Sequence, residues 1–169
     1  MEDRPNWRAL AGSVQTLSTI LAGFSFTLLV LALGRDVLTL PLNIPFQTDT
    51  KVVALFGLAL AGVLLVISTE CLLHSQSYDV WSLSSERFAA LKMQVDDQGW
   101  KWSNWLADYD AQTSRWYRSG VYLYYVGVLL FLAGGAFLIY PYSMLTSLGI
   151  FGSGFALELG WIFFLVRER

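Results

Sequence analysis

Charged residues are scarce in this sequence: they make up 14% of its 169 residues, against roughly a quarter in an ordinary soluble domain. Cysteine and histidine are rarer still, because Cys71 and His74 are the single examples of each. One cysteine excludes a disulfide within the chain. One histidine leaves little material for a histidine-based metal site or catalytic triad. The net charge of −2 also argues against nucleic acid as a partner.

Enzyme motifs are absent as well. The chain contains no phosphate-binding loop, no paired cysteines and no nucleophile elbow. We therefore predict a protein that is not an enzyme and that holds neither a metal nor a cofactor.

What the sequence does have is long uncharged runs. A helix needs about 20 apolar residues to cross a bilayer, and the chain offers four such stretches, at about 10–33, 52–73, 119–140 and 143–166. The last two belong to one run, which Pro141 divides because proline removes a backbone donor and marks a helix boundary. The sequence thus predicts an all-α fold in a single integral membrane domain, 1–169. It is a four-span transmembrane helical bundle with a cytoplasmic helical hairpin at 74–118.

Orientation follows from the basic residues, because cytoplasmic loops carry more Lys and Arg than external ones. Two basic residues, Arg35 and Lys51, fall in the loop between the first two spans. The other nine fall at the chain ends or in the hairpin segment: Arg4, Arg8, Arg87, Lys92, Lys101, Arg115, Arg118, Arg167 and Arg169. We therefore predict that both termini and the hairpin lie in the cytoplasm.

The 74–118 segment is predicted to form two helical arms. Apolar residues recur on one helical face from Tyr78 to Val95, which predicts that span two continues to about Met93. Residues 96–99 are typical of a turn, and a second arm then leads into span three. The segment also carries five tryptophans: Trp81, Trp100, Trp102, Trp105 and Trp116. They form either the hairpin core with anchors at the membrane surface or a docking surface for a partner.

Small residues line one face of several spans, and helices in lipid associate by close packing at such positions. They are Gly12, Thr16, Thr19, Gly23 and Thr27 in span one, Gly120, Gly127 and Gly134 in span three, and Gly152, Ala156 and Gly160 in span four. One four-helix bundle needs fewer small faces than these. We therefore predict that some of them bind another copy of the chain or another membrane subunit, within the lipid bilayer.

Two acids, Glu70 and Glu158, lie within the predicted spans, where an ionisable group is expensive and is a candidate for function. Counted from the outer ends of spans two and four, they fall at similar depths towards the cytoplasmic side. A polar cluster is predicted there, made of Glu158, Glu70, Gln15, Thr16, Thr19 and Tyr124. It is either a hydrogen-bonded network that fixes the helix register or a site for a cation or proton.

The first two spans resemble those of Orai-type calcium-channel subunits through STILAGFSFTLL (18–29) and LLVISTECLL (64–73). The resemblance implies an oligomeric pore lined by span one, with Arg4 and Arg8 in its basic inner section. The acid of the Orai selectivity ring would fall near Leu31, so calcium selectivity is not expected.

The chain is also similar to small bacterial four-span membrane proteins of unknown function. This resemblance is carried by RWYRSGVYLYYVGVLL (115–130) and ALELGWIFF (156–164). It implies a bacterial inner membrane and names no activity.

Three functions stay open from the sequence. The one we favour is a non-enzymatic integral membrane protein that self-assembles or serves as a subunit of a membrane complex. The second is an oligomeric Orai-like ion channel or pore with span one at its axis. The third is a small proton- or cation-coupled transporter that uses Glu158.

Overall fold

The regular elements of the described chain are all helical, which confirms the predicted all-α class. The computed structural model describes residues 7–34 and 49–167. Its α-helices are α1 (Trp7–Leu33), α2 (Thr50–Tyr78), α3 (Ser85–Asp97), α4 (Trp102–Ile139), α5 (Met144–Ser147) and α6 (Ser153–Arg167). A 3₁₀ turn at Val80–Ser82 precedes α3, and a π-helical turn at Leu148–Gly152 joins α5 to α6.

Three of these helices are long and apolar enough to cross a membrane: α1, α2 and α4. They have 27, 29 and 38 residues, or about 40 to 57 Å at 1.5 Å per residue. They contain the first three predicted spans. The fourth predicted span, 143–166, is helical, but α6 has only 15 residues and the π-helical turn separates it from α5. That it crosses the membrane stays a prediction.

The prediction that the second helix continues to about Met93 is wrong. α2 ends at Tyr78, and the backbone leaves the helix at Asp79, where φ is −76° and ψ is 85°. α3 begins as a separate helix because the Ser84 side chain accepts a hydrogen bond from the amide of Arg87 (3.4 Å). This cap satisfies a backbone donor that the first helical turn leaves without a partner. The apolar periodicity persists across the break and so does not reveal it.

The turn between α3 and α4 spans 98–101 and overlaps the predicted turn at 96–99, whose first two residues still belong to α3. Gly99 has a φ of 73°, in the left-handed region that favours glycine. The amide of Trp100 donates to the carbonyl oxygen of Val95 (3.2 Å), which closes the end of α3. α4 then runs without interruption through the predicted second arm and the predicted third span.

A second turn follows α4, which ends at Ile139, two residues before Pro141. The Ser143 side chain caps α5 by accepting a hydrogen bond from the amide of Thr146 (3.2 Å). The hydroxyl of Ser147 donates to the carbonyl oxygen of Ala136 (2.8 Å) and so ties α5 to the end of α4. The predicted helix boundary at the proline is therefore confirmed.

The chain divides into two compact units. The first comprises Met1–Leu17 and Ile67–Tyr122, and the second comprises Ser18–Val66 and Leu123–Arg169. The first unit thus holds the segment that was predicted to form the cytoplasmic hairpin. The second holds most of the long uncharged runs.

In the first unit, α2 and α4 pack antiparallel at serine and glycine positions. The fully buried Ser75 donates to the carbonyl oxygen of Thr113 (3.1 Å), and the fully buried Ser68 donates to that of Gly120 (2.8 Å). Gly120 permits the close approach, because an added Cβ would lie 2.8 Å from Leu72 Cγ. A step of seven residues down α2 therefore matches a step of seven residues up α4.

The second unit has the same spacing, with alanine in place of serine on α2. Its close contacts pair glycines of α4 with leucines and alanines of α2: Gly127 with Leu65 and Ala61, and Gly134 with Leu58 and Ala54. A seven-residue repeat on both helices is typical of packing at a left-handed crossing of about 20°.

α1 contacts α2 in the second unit through small residues of its own. The hydroxyl of the buried Ser25 donates to the carbonyl oxygen of Leu58 (2.7 Å). Ala22 is buried with Leu65 and Val128, and these three form the hydrophobic core of the unit. A residue from each of the three long helices thus meets at this core.

Candidate functional site

The small residues predicted on α4 are used within the chain. Gly120, Gly127 and Gly134 are all buried, and an added Cβ at each would lie 2.8 to 3.0 Å from a leucine Cγ of α2. These three positions therefore serve the packing of a single subunit. Their faces are occupied by α2 of the same chain and are not available to a second subunit.

Most of the small residues predicted on α1 lie on its exposed surface. Thr16, Thr19, Gly23 and Thr27 are exposed, and Gly12 is half-buried near the Gln76 amide. The hydroxyls of Thr16 and Thr27 donate to carbonyl oxygens of their own helix, those of Gly12 (3.0 Å) and Gly23 (2.8 Å). We call these five residues the outer stripe of α1.

The buried face of α1 is a different set of small residues, which sequence reasoning missed. They are spaced by seven residues: Ala11, Ser18, Ser25 and Ala32. The signal was present, because the same spacing marks the glycines of α4. α1 has two faces of small residues. Which of them is buried depends on the helix that packs against α1, and the sequence of α1 alone does not specify that.

The small residues predicted on α6 also lie on the outside. Gly152, Ala156 and Gly160 are exposed, and an added Cβ at Gly152 or Gly160 would meet no described atom within 4 Å. We call these three the outer ladder of α6. The inward contact near this helix is made by other residues, since a Cβ at Gly154 would lie 3.4 Å from Leu132 Cδ2.

The predicted polar cluster is divided between the two units. In the first unit, the side-chain amide of Gln76 donates to that of Gln15 (3.0 Å), which joins α2 to α1. Gln76 was assigned to the hairpin from its sequence, because it follows the uncharged run. Glu70, in the same unit, is exposed.

Glu158 and Tyr124 belong to the second unit and lie near each other. Glu158 is half-buried on α6, and its carboxylate is an electrostatic neighbour of the Tyr124 hydroxyl. The Tyr124 ring packs against the core of the unit and meets the Tyr125 ring edge to face, with centroids 5.4 Å apart. The core and Tyr125 thus hold the Tyr124 ring in place.

The tryptophans of the first unit divide into packed and exposed ones. A continuous aromatic series, with neighbouring ring centroids 4.0 to 5.5 Å apart, runs through Trp81, Phe88, Trp102, Trp105, Tyr109 and Tyr78. Trp102 and Trp105 lie in the middle of the series and are half-buried. Trp116 instead stacks near His74 at 5.1 Å, and Trp100 is 59% exposed.

No group of three or more His, Cys, Asp or Glu side chains that could hold a metal is found among the described residues. Cys71 is buried on α2 as a free thiol.

The regular elements of the described chain are all helical, and three of the helices are long and apolar enough to span a membrane. No family model, curated protein or solved structure matches the chain.

Proposed function

We propose that this chain is a non-enzymatic integral membrane protein that assembles in the bilayer with further copies of itself. The observation that carries the proposal is the outward position of two small-residue faces, the outer stripe of α1 and the outer ladder of α6. The chain's own close packing is made by other residues, on α2 and α4 and on the opposite face of α1.

The physical reason is the nature of helix association in lipid. Lipid tails are as apolar as leucine, so helices gain little from hiding apolar side chains and associate where small residues let backbones approach. At Gly23, Gly152 and Gly160 an added Cβ would meet no described atom of the same chain. A neighbouring helix is the partner that such positions suit.

The proposed membrane placement has four spans, α1, α2, the part of α4 from residue 119 onward, and the segment from α5 through α6. Its support is the charge pattern, because the described basic residues other than Lys51 lie in or before α1, in the 74–118 segment or at the end of α6. By the positive-inside rule this pattern favours a cytoplasmic N-terminus, C-terminus and hairpin.

The test is the oligomeric state of the full chain in lipid nanodiscs or mild detergent. We expect an oligomer for the wild type and dissociation for Gly23→Leu and Gly152→Leu, because each adds a bulky side chain to an open face. Leu17→Phe is the matched control. Leu17 is 50% exposed on α1 and lies about 120° around the helix axis from Gly23, outside the outer stripe. A wild type that is strictly monomeric in both media would refute self-assembly.

A second candidate function is a pore lined by α1. The observation that favours it is that α1 is largely exposed in the single chain, with hydroxyls of Thr16 and Thr27 on its outer stripe. If copies meet around that stripe, α1 lies at the axis. The large exposed side chains Phe24 and Val30 on the same helix would make its outer part a hydrophobic gate. Ion flux into liposomes carrying the purified oligomer tests this, and an oligomer without flux would exclude the pore.

A further inference from the structure

Glu158 is the one acid within a long uncharged stretch. No charged residue occurs between Arg118 and Glu158, and the next one after Glu158 is Arg167. The carboxyl group is half-buried on α6, close to Tyr124 of α4. An acid in this setting needs either a cation beside it or a proton on it.

The elements of the second unit offer no such cation among the side chains that the structure describes. α4 beyond Tyr122, α5, and α1 from Ser18 onward carry no charged residue, and α2 up to Val66 carries only Lys51. Asp49, just before α2, is another acid.

Lys51 is too far along the helix pair to reach. Gly134 of α4 lies against Ala54 of α2, three residues after Lys51. Tyr124 is ten residues before Gly134, which is about 15 Å along α4 at 1.5 Å per residue. A lysine side chain is much shorter than that distance, so Lys51 is no counter-ion for an acid beside Tyr124.

The Tyr124 hydroxyl suits a neutral carboxyl group. A phenol both donates and accepts a hydrogen bond, so it matches the one donor and the acceptor oxygen of a protonated acid. It carries no positive charge to offset a carboxylate. Its ring is held by the core and by Tyr125.

We propose that Glu158 is an intramembrane proton-binding site, with Tyr124 of α4 as its electrostatic neighbour. The proposal rests on the proposed membrane placement of α6. The ligand is a proton, and the carboxyl group holds it at neutral pH when the chain is in a bilayer.

Infrared spectroscopy of the full chain in phosphatidylcholine vesicles at neutral pH tests the site directly. We expect the C=O band of a protonated carboxyl group in the wild type and its loss in Glu158→Gln. Glu70→Gln is the matched control, because Glu70 is exposed and its removal should leave the band in place. Tyr124→Phe keeps the ring in the core and removes the hydroxyl, and the band should persist because the proton is held by the Glu158 carboxyl group.

A lipid-soluble carbodiimide, dicyclohexylcarbodiimide, gives an independent chemical readout. The carboxyl proton moves to one carbodiimide nitrogen, the carboxyl oxygen bonds to the central carbon, and the acyl group then shifts from oxygen to nitrogen to leave a stable N-acylurea. No atom leaves, so the peptide that contains Glu158 gains the mass of one reagent. We expect this adduct in the wild type and none on that peptide in Glu158→Gln.

The outcomes separate the site from the membrane placement. The proposal is overturned if the wild type shows no protonated carboxyl band at neutral pH. It is also overturned if the band appears only when sodium ions are removed, because that result would indicate a cation site. Modification of Glu158 by a water-soluble carbodiimide from the bulk would instead refute the membrane placement of α6. Circular dichroism of each variant shows whether the helices remain.

Discussion

Replacing Gly120 with alanine adds one methyl group where α2 and α4 are in close contact in the first unit. The new Cβ would lie 2.8 Å from Leu72 Cγ, 3.0 Å from Leu72 Cδ2 and 3.2 Å from the carbonyl oxygen of Ser68. Leu72 is fully buried, so its side chain has no open space to move into. Ser68 already donates its hydroxyl to the Gly120 carbonyl (2.8 Å), so the two backbones cannot separate without weakening that bond.

The size of the effect follows from two opposing terms. Overpacking costs about 1–3 kcal/mol, and the upper part of that range, about 2–3 kcal/mol, applies here because a fully buried leucine and a backbone oxygen both crowd the new methyl group. Alanine is a better helix former than glycine by about 1 kcal/mol, which offsets part of this cost. We therefore expect Gly120→Ala to lower the free energy of unfolding by about 1–2 kcal/mol, a factor of about 5–30 in the ratio of folded to unfolded chain.

Cys71 provides the assay, because it is the single cysteine of the chain, it is buried, and it is next to Leu72 in sequence. A thiol-reactive fluorophore added in mild detergent should label it only as the unit unfolds. We expect the labelling transition of Gly120→Ala to fall by about 2–8 °C. Gly149→Ala is the control, since its Cβ would meet no described atom within 4 Å and Gly149 belongs to neither proposed assembly face, so its transition should stay near the wild-type temperature.

The reasoning is refuted if Gly120→Ala labels at the wild-type temperature or above it. A double variant sharpens the test, because Gly120→Ala with Leu72→Ala removes the side chain that the methyl group meets. Its loss should be smaller than the sum of the two single losses, since residues in contact are not additive. Additive losses would show that the methyl group is accommodated elsewhere.

Three further predictions concern single interactions. Ser68→Ala should cost about 0.5–1.5 kcal/mol by the same thiol assay, because a buried interhelical hydrogen bond is lost; Ser77→Ala, whose hydroxyl bonds within its own helix, should cost less. Gly99→Ala should destabilise the α3–α4 turn by about 1–2 kcal/mol, because Gly99 has a positive φ. Proteolysis at the turn should then be faster than in the wild type, and unchanged proteolysis would contradict the prediction. Trp105→Ala should raise amide hydrogen exchange in the first turns of α4, because stacking on Tyr109 at 4.0 Å is lost, and unaltered exchange there would argue against a packed aromatic series.

The sequence predicts the long helices well because length without charge is a strong signal. The run from Ser119 to Leu157 and its division at Pro141 were readable directly, and α4 does end at Ile139. The break after Tyr78 was not readable by the same means. The backbone leaves the helix at Asp79, and a capping hydrogen bond to Ser84 marks the start of α3; such local features carry no periodicity.

The candidate site was less predictable, because packing partners decide which of several small faces is buried. Leucines of α2 fill the space beside the glycines of α4. On α1 the predicted stripe proved exposed and a second one, which includes Ser18 and Ser25, proved buried. The nearness of Tyr124 to Glu158 depends on how α4 and α6 meet, which no spacing within either helix specifies.

The seven-residue repeat shared by α2 and α4 raises the question of what prevents one helix from sliding along the other. A repeat matches itself again after a shift of one period, about 10 Å at 1.5 Å per residue. In the first unit, a shift one way would bring Leu106 against Ser75, where Thr113 now lies. In the second unit, a shift the other way would bring Pro141 against Ala54, where Gly134 now lies. A bulky leucine at one end of the repeat and a helix-ending proline at the other thus disfavour a shift in either direction. The alignment of the two helices therefore depends on where the repeat ends.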